Sequence, residues 1–482
     1  MALMLSAVLG SELIAQAAVS VDPAVYTPRG VNSEMQLTNK WLYSNRLNNY
    51  NVAADLIAPV GMVRGMAAKD GKMLFINRNN KTIEVVNGAT GARETPIVLG
   101  SNLFTYVGRN RANTADSTWT AGLWGYQDIK IDNAGNVLVA NIIASNAGRY
   151  QVWRVNTTTG AGTLVIDQSD LATLFPAAAT MRFDAFGVWG DVTKNAVILA
   201  ANASTVAMEV YRWEITNGVV AAPTLIELDA SLATGKDLGG LANLGSAPQV
   251  FPLADNYFYV DGNATFPVLC DGDGNVVDGF KATLPNSIRD EVTAPLTDPR
   301  TVWTMNQGHN GVVEFEVNGK YFIVMAASNT AGVPASTFRL FQFADANKAF
   351  SGLTTLWTFP QAGMGAASNS YRTAMPAVEV SGTKANIYVY TGENGYGMYE
   401  FETAAPTGLS TPNTSKVSIA VLNNRIQLSE TVAQITVLNT TGQKMVSAQH
   451  VATLETKLAN GIYLVSITDL KGNSKVQKVS VN

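Results

Sequence analysis

Several shortages in this sequence exclude whole classes of protein. It has a single cysteine, Cys270, so no disulfide can form within the chain. It has two histidines and no His/Cys spacing suited to zinc, so no His-based metal centre and no metal site are expected. Charged residues are only 15% of the chain, and the net charge is −4. With no basic run on top of that balance, nucleic acid is not an expected partner. No phosphate loop, nucleophile elbow or dinucleotide fingerprint occurs in the right context, and no cofactor is expected. No internal apolar run approaches the ~20 residues of a membrane span, so no transmembrane segment is expected. Strong helical periodicity is scarce as well.

Apolar residues, at 47% of 482, are plentiful enough for a sizeable core, but the chain is too long for one ordinary core. Residues 1–18 are apolar at the start and carry Ala15-Gln16-Ala17, a small-x-small pattern suited to a signal peptidase. They are expected to be a signal peptide, although no Lys or Arg precedes the apolar stretch; the alternative is a buried N-terminal helix.

The body reads as a repeat. Buried-strand runs recur as Met73–Asn77, Val137–Asn141, Ala196–Ala200, Tyr257–Val260, Tyr321–Met325 and Ile387–Tyr390. Five of the six follow Gly/Asn/Asp/Lys turn clusters such as Asp132-Asn-Ala-Gly-Asn136 and Asn318-Gly-Lys320, which suit tight hairpins. An earlier apolar stretch precedes each, starting near Arg64, Tyr126, Asp184, Gln249, His309 and Arg372, at spacings of 62, 58, 65, 60 and 63 residues. Alternating strands follow, such as Gln151–Val155 and Glu209–Glu214. The pattern predicts an all-β fold, a β-propeller at 38–403 with six blades, seven being the alternative. The last blade lacks an outer strand, and Asn39–Ser44 is expected to supply it by pairing near 398–402 and closing the ring.

Residues 404–415 read as a linker and 416–482 as a small Ig-like β-sandwich. Within that tail stand Asn439-Thr-Thr-Gly-Gln-Lys-Met445, Leu458-Ala-Asn-Gly-Ile-Tyr-Leu-Val-Ser-Ile467 and the Lys-bearing end from Lys475 to Val481. These segments, over about residues 408–482, resemble the C-terminal sorting domain of the Bacteroidetes type IX (Por) secretion system. Pro412-Asn413 matches the opening of that pattern, but Thr414 stands where a second Pro is usual. The resemblance implies Sec export, a partner in the type IX machinery and an extracellular or outer-surface location. The alternative is a plain β-sandwich module for binding or spacing. In the body, Lys40–Ser44, Val63–Met66 and Asn77-Arg78 resemble uncharacterised propeller-like proteins of gut Bacteroidetes, a resemblance that implies no activity.

Propeller ligands are expected where inner strands begin and long loops converge, because that end is concave. The candidate ligand-binding residues there are Arg64, Tyr126, Asp128, Asp184, Gln249, His309 and Arg372, which otherwise only hydrate a water-filled pore. His309 suits acid/base work near neutral pH or a structural hydrogen bond. The segment 101–125 adds Phe104, Tyr106, Arg109, Arg111, Trp119 and Trp124. Trp119 and Trp124 are candidates to stack on sugar rings, or else to pack the loop onto its blade. Asp271-Gly-Asp-Gly-Asn275 has half of a calcium-loop pattern, but Val276 and Ala282 break it, and a hairpin turn is the expected reading. The leading function is a secreted, non-catalytic binding or adhesion protein with a glycan or protein ligand. The rival is a polysaccharide-active enzyme using two channel carboxylates, for which Asp128 and Asp184 are the nameable pair. A structural surface-layer component is the third possibility.

Overall fold

A computed structural model of the chain describes residues 25–26, 34–47, 49, 62–109, 116–177, 181–203, 208–231, 244–263, 265–280, 311–327, 337–360, 363–365, 367, 369, 373–403, 417–422, 425–470 and 474–481. The expected signal peptide and linker, His309, Arg111 and Arg372 lie outside these residues. The chain divides into two compact units, Met1–Thr403 and Ala404–Asn482.

In the first unit, hairpin-linked strands form six sheets of four or five strands, with one two-stranded ribbon beside them. The first sheet shows how the sequence specifies each. Lys72–Asn77 is buried along nearly its whole length, and Thr82–Asn87 nearly so, while Arg93–Val98 is largely exposed. Inner strands face a neighbouring sheet on both sides and so read as continuous apolar runs, whereas the outer strand meets water. Asp70 and Gly71, at φ 53° and 72°, make the two-residue turn between Lys69 and Lys72 that a right-twisted hairpin requires.

The first strands of the sheets are Val63–Lys69, Asp128–Ile131, Gly187–Gly190, Gln249–Pro252, Val312–Val317 and Ala374–Ser381. Each begins within three residues of its expected start. They neighbour one another in chain order around a common centre. Between the fourth and fifth sheets the junction is filled by Tyr259, Phe266, Val312 and Ile323, and Ala374–Ser381 returns to Val63–Lys69. This part of the chain is a β-propeller.

The closing strand is where the repeat predicts it. Met35–Ser44 runs antiparallel to Gly395–Thr403, from Met35↔Thr403 to Ser44↔Gly395, with a bulge between Asn39 and Trp41. It is longer than expected, because Met35 and Leu37 also bury against the sixth sheet.

Two glycines set how closely the inner strands approach. A Cβ on Gly65 would stand 2.7 Å from both Asp128 Oδ1 and the Ile129 nitrogen. One on Gly187 would collide with the Val250 carbonyl and the Pro252 ring. Gly187→Ala is therefore expected to destabilise the body by about 1–3 kcal/mol through overpacking against backbone that cannot yield. A denaturation midpoint equal to that of the wild type would contradict this close approach.

The second unit is one five-stranded sheet around its own core of Val417, Ile426, Val437, Val465 and Val481, among others. Its longest strand is Arg425–Asn439. A further strand, Lys444–Glu455, has no counterpart in the sequence reading. Its side chains are mostly exposed or half-buried on both faces, so it lacks the period-two signal of a half-buried strand. Lys475 Nζ donates to the Val417 carbonyl (2.9 Å), which ties the last strand to the segment leading into the first.

Candidate functional site at the loop-bearing end and centre of the propeller

At the end where the inner strands begin, a polar network joins the first three sheets. Asp184 is buried, and its two oxygens accept Arg182 Nε and Nη2, both at 2.7 Å. Arg64 Nη1 lies 3.7 Å from Asp184 Oδ1, with both side chains buried. Gln127 Nε2 donates to the Asp184 carbonyl (3.0 Å), and Gln127 Oε1 accepts from Arg78 Nη2. Arg182 is tied in turn by Asn202, whose Oδ1 accepts the Arg182 N–H.

Asp128 is likewise committed. It accepts the Ile129 and Phe186 backbone N–H groups, and Lys130 Nζ lies 2.9 and 2.8 Å from its two oxygens. Burial pushes its carboxyl upward, against the opposing pull of Lys130 and the two N–H groups. The two carboxylates nameable for glycoside hydrolysis are therefore each occupied by a cation and by structural hydrogen bonds.

The aromatics of 101–125 divide by role. Phe104 and Tyr126 turn inward, their rings 5.0 Å apart and edge-on in the core between the first two sheets. Burial raises the Tyr126 phenol above its ordinary value, and its ring has no open face. Outside them, Thr105–Arg109 and Asp116–Thr120 form the two-stranded ribbon, with Tyr106 paired to Trp119. Tyr106 and Trp119 are half-buried. The Arg149 guanidinium stands 3.5 Å over the Tyr106 ring while gripping Asp167 through two hydrogen bonds. Trp124 is 56% exposed, with Arg78 stacked 5.4 Å from its ring. Its backbone is pinned to the second sheet, because its carbonyl accepts the Ile142 N–H. An exposed indole on a fixed backbone, with a guanidinium against its ring, can hold a flat ligand face.

At the centre of the ring lies a cavity of about 210 Å³, lined by Met66, Lys130, Gln249, Phe251, Val312 and Met375 among others. Among the described candidates, Gln249 lines this cavity, while Arg64, Asp128 and Asp184 serve the end network. Lys130, Arg182 and Gln127 were missed. The alternation Asp128-Ile-Lys130 placed Lys130 on the face of Asp128 and was a readable signal for it.

The Asp271–Asn275 segment is a hairpin turn. Asp271 Oδ1 accepts the Asp273 and Asn275 N–H groups (3.0 and 2.9 Å), and Oδ2 accepts Asn275 Nδ2. Burial is the largest single influence and pushes its carboxyl up, but the hydrogen bonds together hold it below the ordinary range. Asp132 uses the same bonds with Ala134 and Asn136, so the pattern belongs to the blade repeat.

Residues 121–247, spanning the second and third sheets and Trp124, match a family described as a domain of unknown function, DUF8500. No curated protein matches the chain. Among solved structures, a DUF4623 family protein from Bacteroides eggerthii is similar at 12% identity with a TM-score of 0.50, over 72% of this chain and 71% of that one. The β-propeller domain of Myceliophteria thermophila Cps50 (Swd1) is similar at 10% identity and a TM-score of 0.33, over 88% and 97% of the two chains. A suspected glycoside hydrolase from Bacteroides ovatus is similar at 10% identity and a TM-score of 0.33, over 80% and 98%. At such identities these likenesses concern the fold alone.

Proposed function

We propose that this chain is a non-catalytic binding or adhesion protein of the cell exterior, whose propeller holds a glycan or protein at its loop-bearing end. The observation that carries this reading is Trp124, an exposed indole on a pinned backbone with Arg78 beneath it, next to the Tyr106–Trp119 ribbon. Aromatic faces of this kind stack on the C–H faces of sugars and are frequent binding hot spots. Against the hydrolase reading stands the engagement of Asp128 and Asp184, since a carboxylate held by a cation and backbone N–H groups is poorly placed to move protons.

We propose, from its sequence resemblance, that the C-terminal unit is a type IX sorting address. Residues 405–482 fused to a periplasmic reporter should carry the reporter out of a host that has that system. Retention in the periplasm would count against the assignment.

Glycan-array binding of the full chain tests the propeller reading. Trp124→Ala is expected to weaken the strongest array ligand by about 2 kcal/mol, roughly thirty-fold in Kd, with the unfolding midpoint unchanged. Undiminished binding by that variant would remove Trp124 from the site.

A further inference from the structure

The two units differ in charge. Residues 404–482 hold seven Lys and Arg against three Asp and Glu, a net of +4, in a chain whose total is −4, so residues 1–403 carry −8. Charge segregated in this way suits the basic unit to an anionic partner.

The strand register shows where part of that positive charge is presented. Successive side chains of a strand point to opposite faces, and residues directly opposite one another on neighbouring strands share a face. Val437, Tyr463, Val465 and Val479 belong to the core of the unit. Their chain neighbours Leu438, Leu464 and Lys478 therefore point away from it. Leu438 stands opposite Lys444 on one side and Leu464 on the other, and Leu464 stands opposite Lys478. The result is a row across four strands, Lys444–Leu438–Leu464–Lys478, with about 14 Å, three strand spacings, between the two lysine backbones.

The row and its surroundings combine two chemistries. Both lysines are exposed, and Leu438 and Leu464 are half-buried. Ile462 and Val476 lie on the same face by the same alternation and are 45% and 62% exposed. The unit's carboxylates lie elsewhere. Glu455 is paired with Arg425, Asp469 is 9% exposed opposite the core residue Val432, and Glu430 falls in the irregular stretch between Gln427 and Val432. Neither Lys444 nor Lys478 has an acidic partner among the described residues.

We propose that this face rests on a membrane surface bearing anionic lipid headgroups. The Lys444 and Lys478 ammonium groups lie among the headgroup phosphates, and Ile462, Val476 and the two leucines meet the boundary with the acyl chains. Long lysine side chains reach past an apolar stripe and keep their charge in the polar layer. A headgroup layer over hydrocarbon offers both chemistries within about 5–10 Å of depth. A purely acidic partner would pair the lysines and leave the aliphatic side chains in water. The face would act in this way whether or not the unit also serves as a sorting address.

Co-flotation of the full chain with vesicles tests the proposal. One set is phosphatidylcholine alone, and the other is equal parts phosphatidylcholine and phosphatidylglycerol. The chain should float with the anionic vesicles and at least about tenfold less with the neutral ones, and salt near 1 M should weaken the attraction. Since the whole chain is negative, its average charge would repel these vesicles, so flotation reports a local face. Lys444→Gln and Lys478→Gln should each lower the partition coefficient about fivefold, and together about thirty-fold. Lys194→Gln makes the same charge change at an exposed lysine of the body and should leave partitioning unaltered. The proposal is overturned if the chain does not float with anionic vesicles, if neutral vesicles carry it equally, or if Lys194→Gln weakens flotation as much as the pair does. Binding to polyglutamate in place of the vesicles would assign the face to an acidic protein and overturn it too. The comparison of vesicles and salt on the unaltered chain decides the matter even if a variant does not fold.

Discussion

Trp41→Ala should lower the stability of the propeller by about 4–5 kcal/mol. Trp41 is 2% exposed and packs edge-on against Tyr396, at 5.9 Å between ring centroids. It belongs to a core shared by the sixth sheet and the first, with Phe75, Val86, Met375 and Tyr390. Removing a buried indole costs about 3–5 kcal/mol through lost contacts and the cavity left behind. Its Nε1 also donates to the Gly88 carbonyl in the first sheet (2.7 Å), and losing that bond adds about 1 kcal/mol. The loss falls where the ring is joined, so residues 35–44 should also become sensitive to limited proteolysis. A midpoint in guanidinium close to that of the wild type, with those residues still protected, would show that Trp41 is not a main fastener of the closure.

Asp184→Ala should cost about 3 kcal/mol. Breaking a buried ion pair on one side is usually worth about 3–5 kcal/mol, because the remaining charge loses its partner in a place water reaches poorly. The lower end applies here, since the Arg182 side chain is 42% exposed and keeps much of its hydration. Arg64 has no such outlet, with 5% of its side chain exposed. Replacing Arg64 by Met in the Asp184→Ala background should therefore recover part of the loss, which a double-mutant cycle on urea midpoints would measure. If the two substitutions simply add, the pair is not coupled through the buried contact.

The fold was readable because its signals are local and repeated. Runs such as Val137–Ala140 and Tyr321–Met325, each behind a Gly/Asn turn, fix strands and hairpins without any long-range information. Even the closing strand could be inferred, from a blade that ended too soon and a lone apolar segment before the first. Lys444–Glu455 escaped because a strand with neither face clearly buried carries no periodicity.

The site was legible only in part. Inner-strand starts were located by the period, but not which of them would face the centre and which would be absorbed into the network between blades. Asp184 and Asp128 looked alike in the sequence, yet each is engaged by residues from other sheets or loops, Arg64 in one case and the Phe186 N–H in the other.

The join between Met35–Ser44 and Gly395–Thr403 also orders events in time. On a ribosome, the strand synthesised first among these must wait for the one synthesised last in the body, because its backbone partner does not yet exist. Until Thr403 has emerged, the first sheet has no sixth sheet to cover it, and an apolar segment bearing Leu37, Trp41 and Leu42 has nowhere native to go. A nascent chain in that state presents an open strand edge, the kind of surface that chaperones hold and that aggregates recruit.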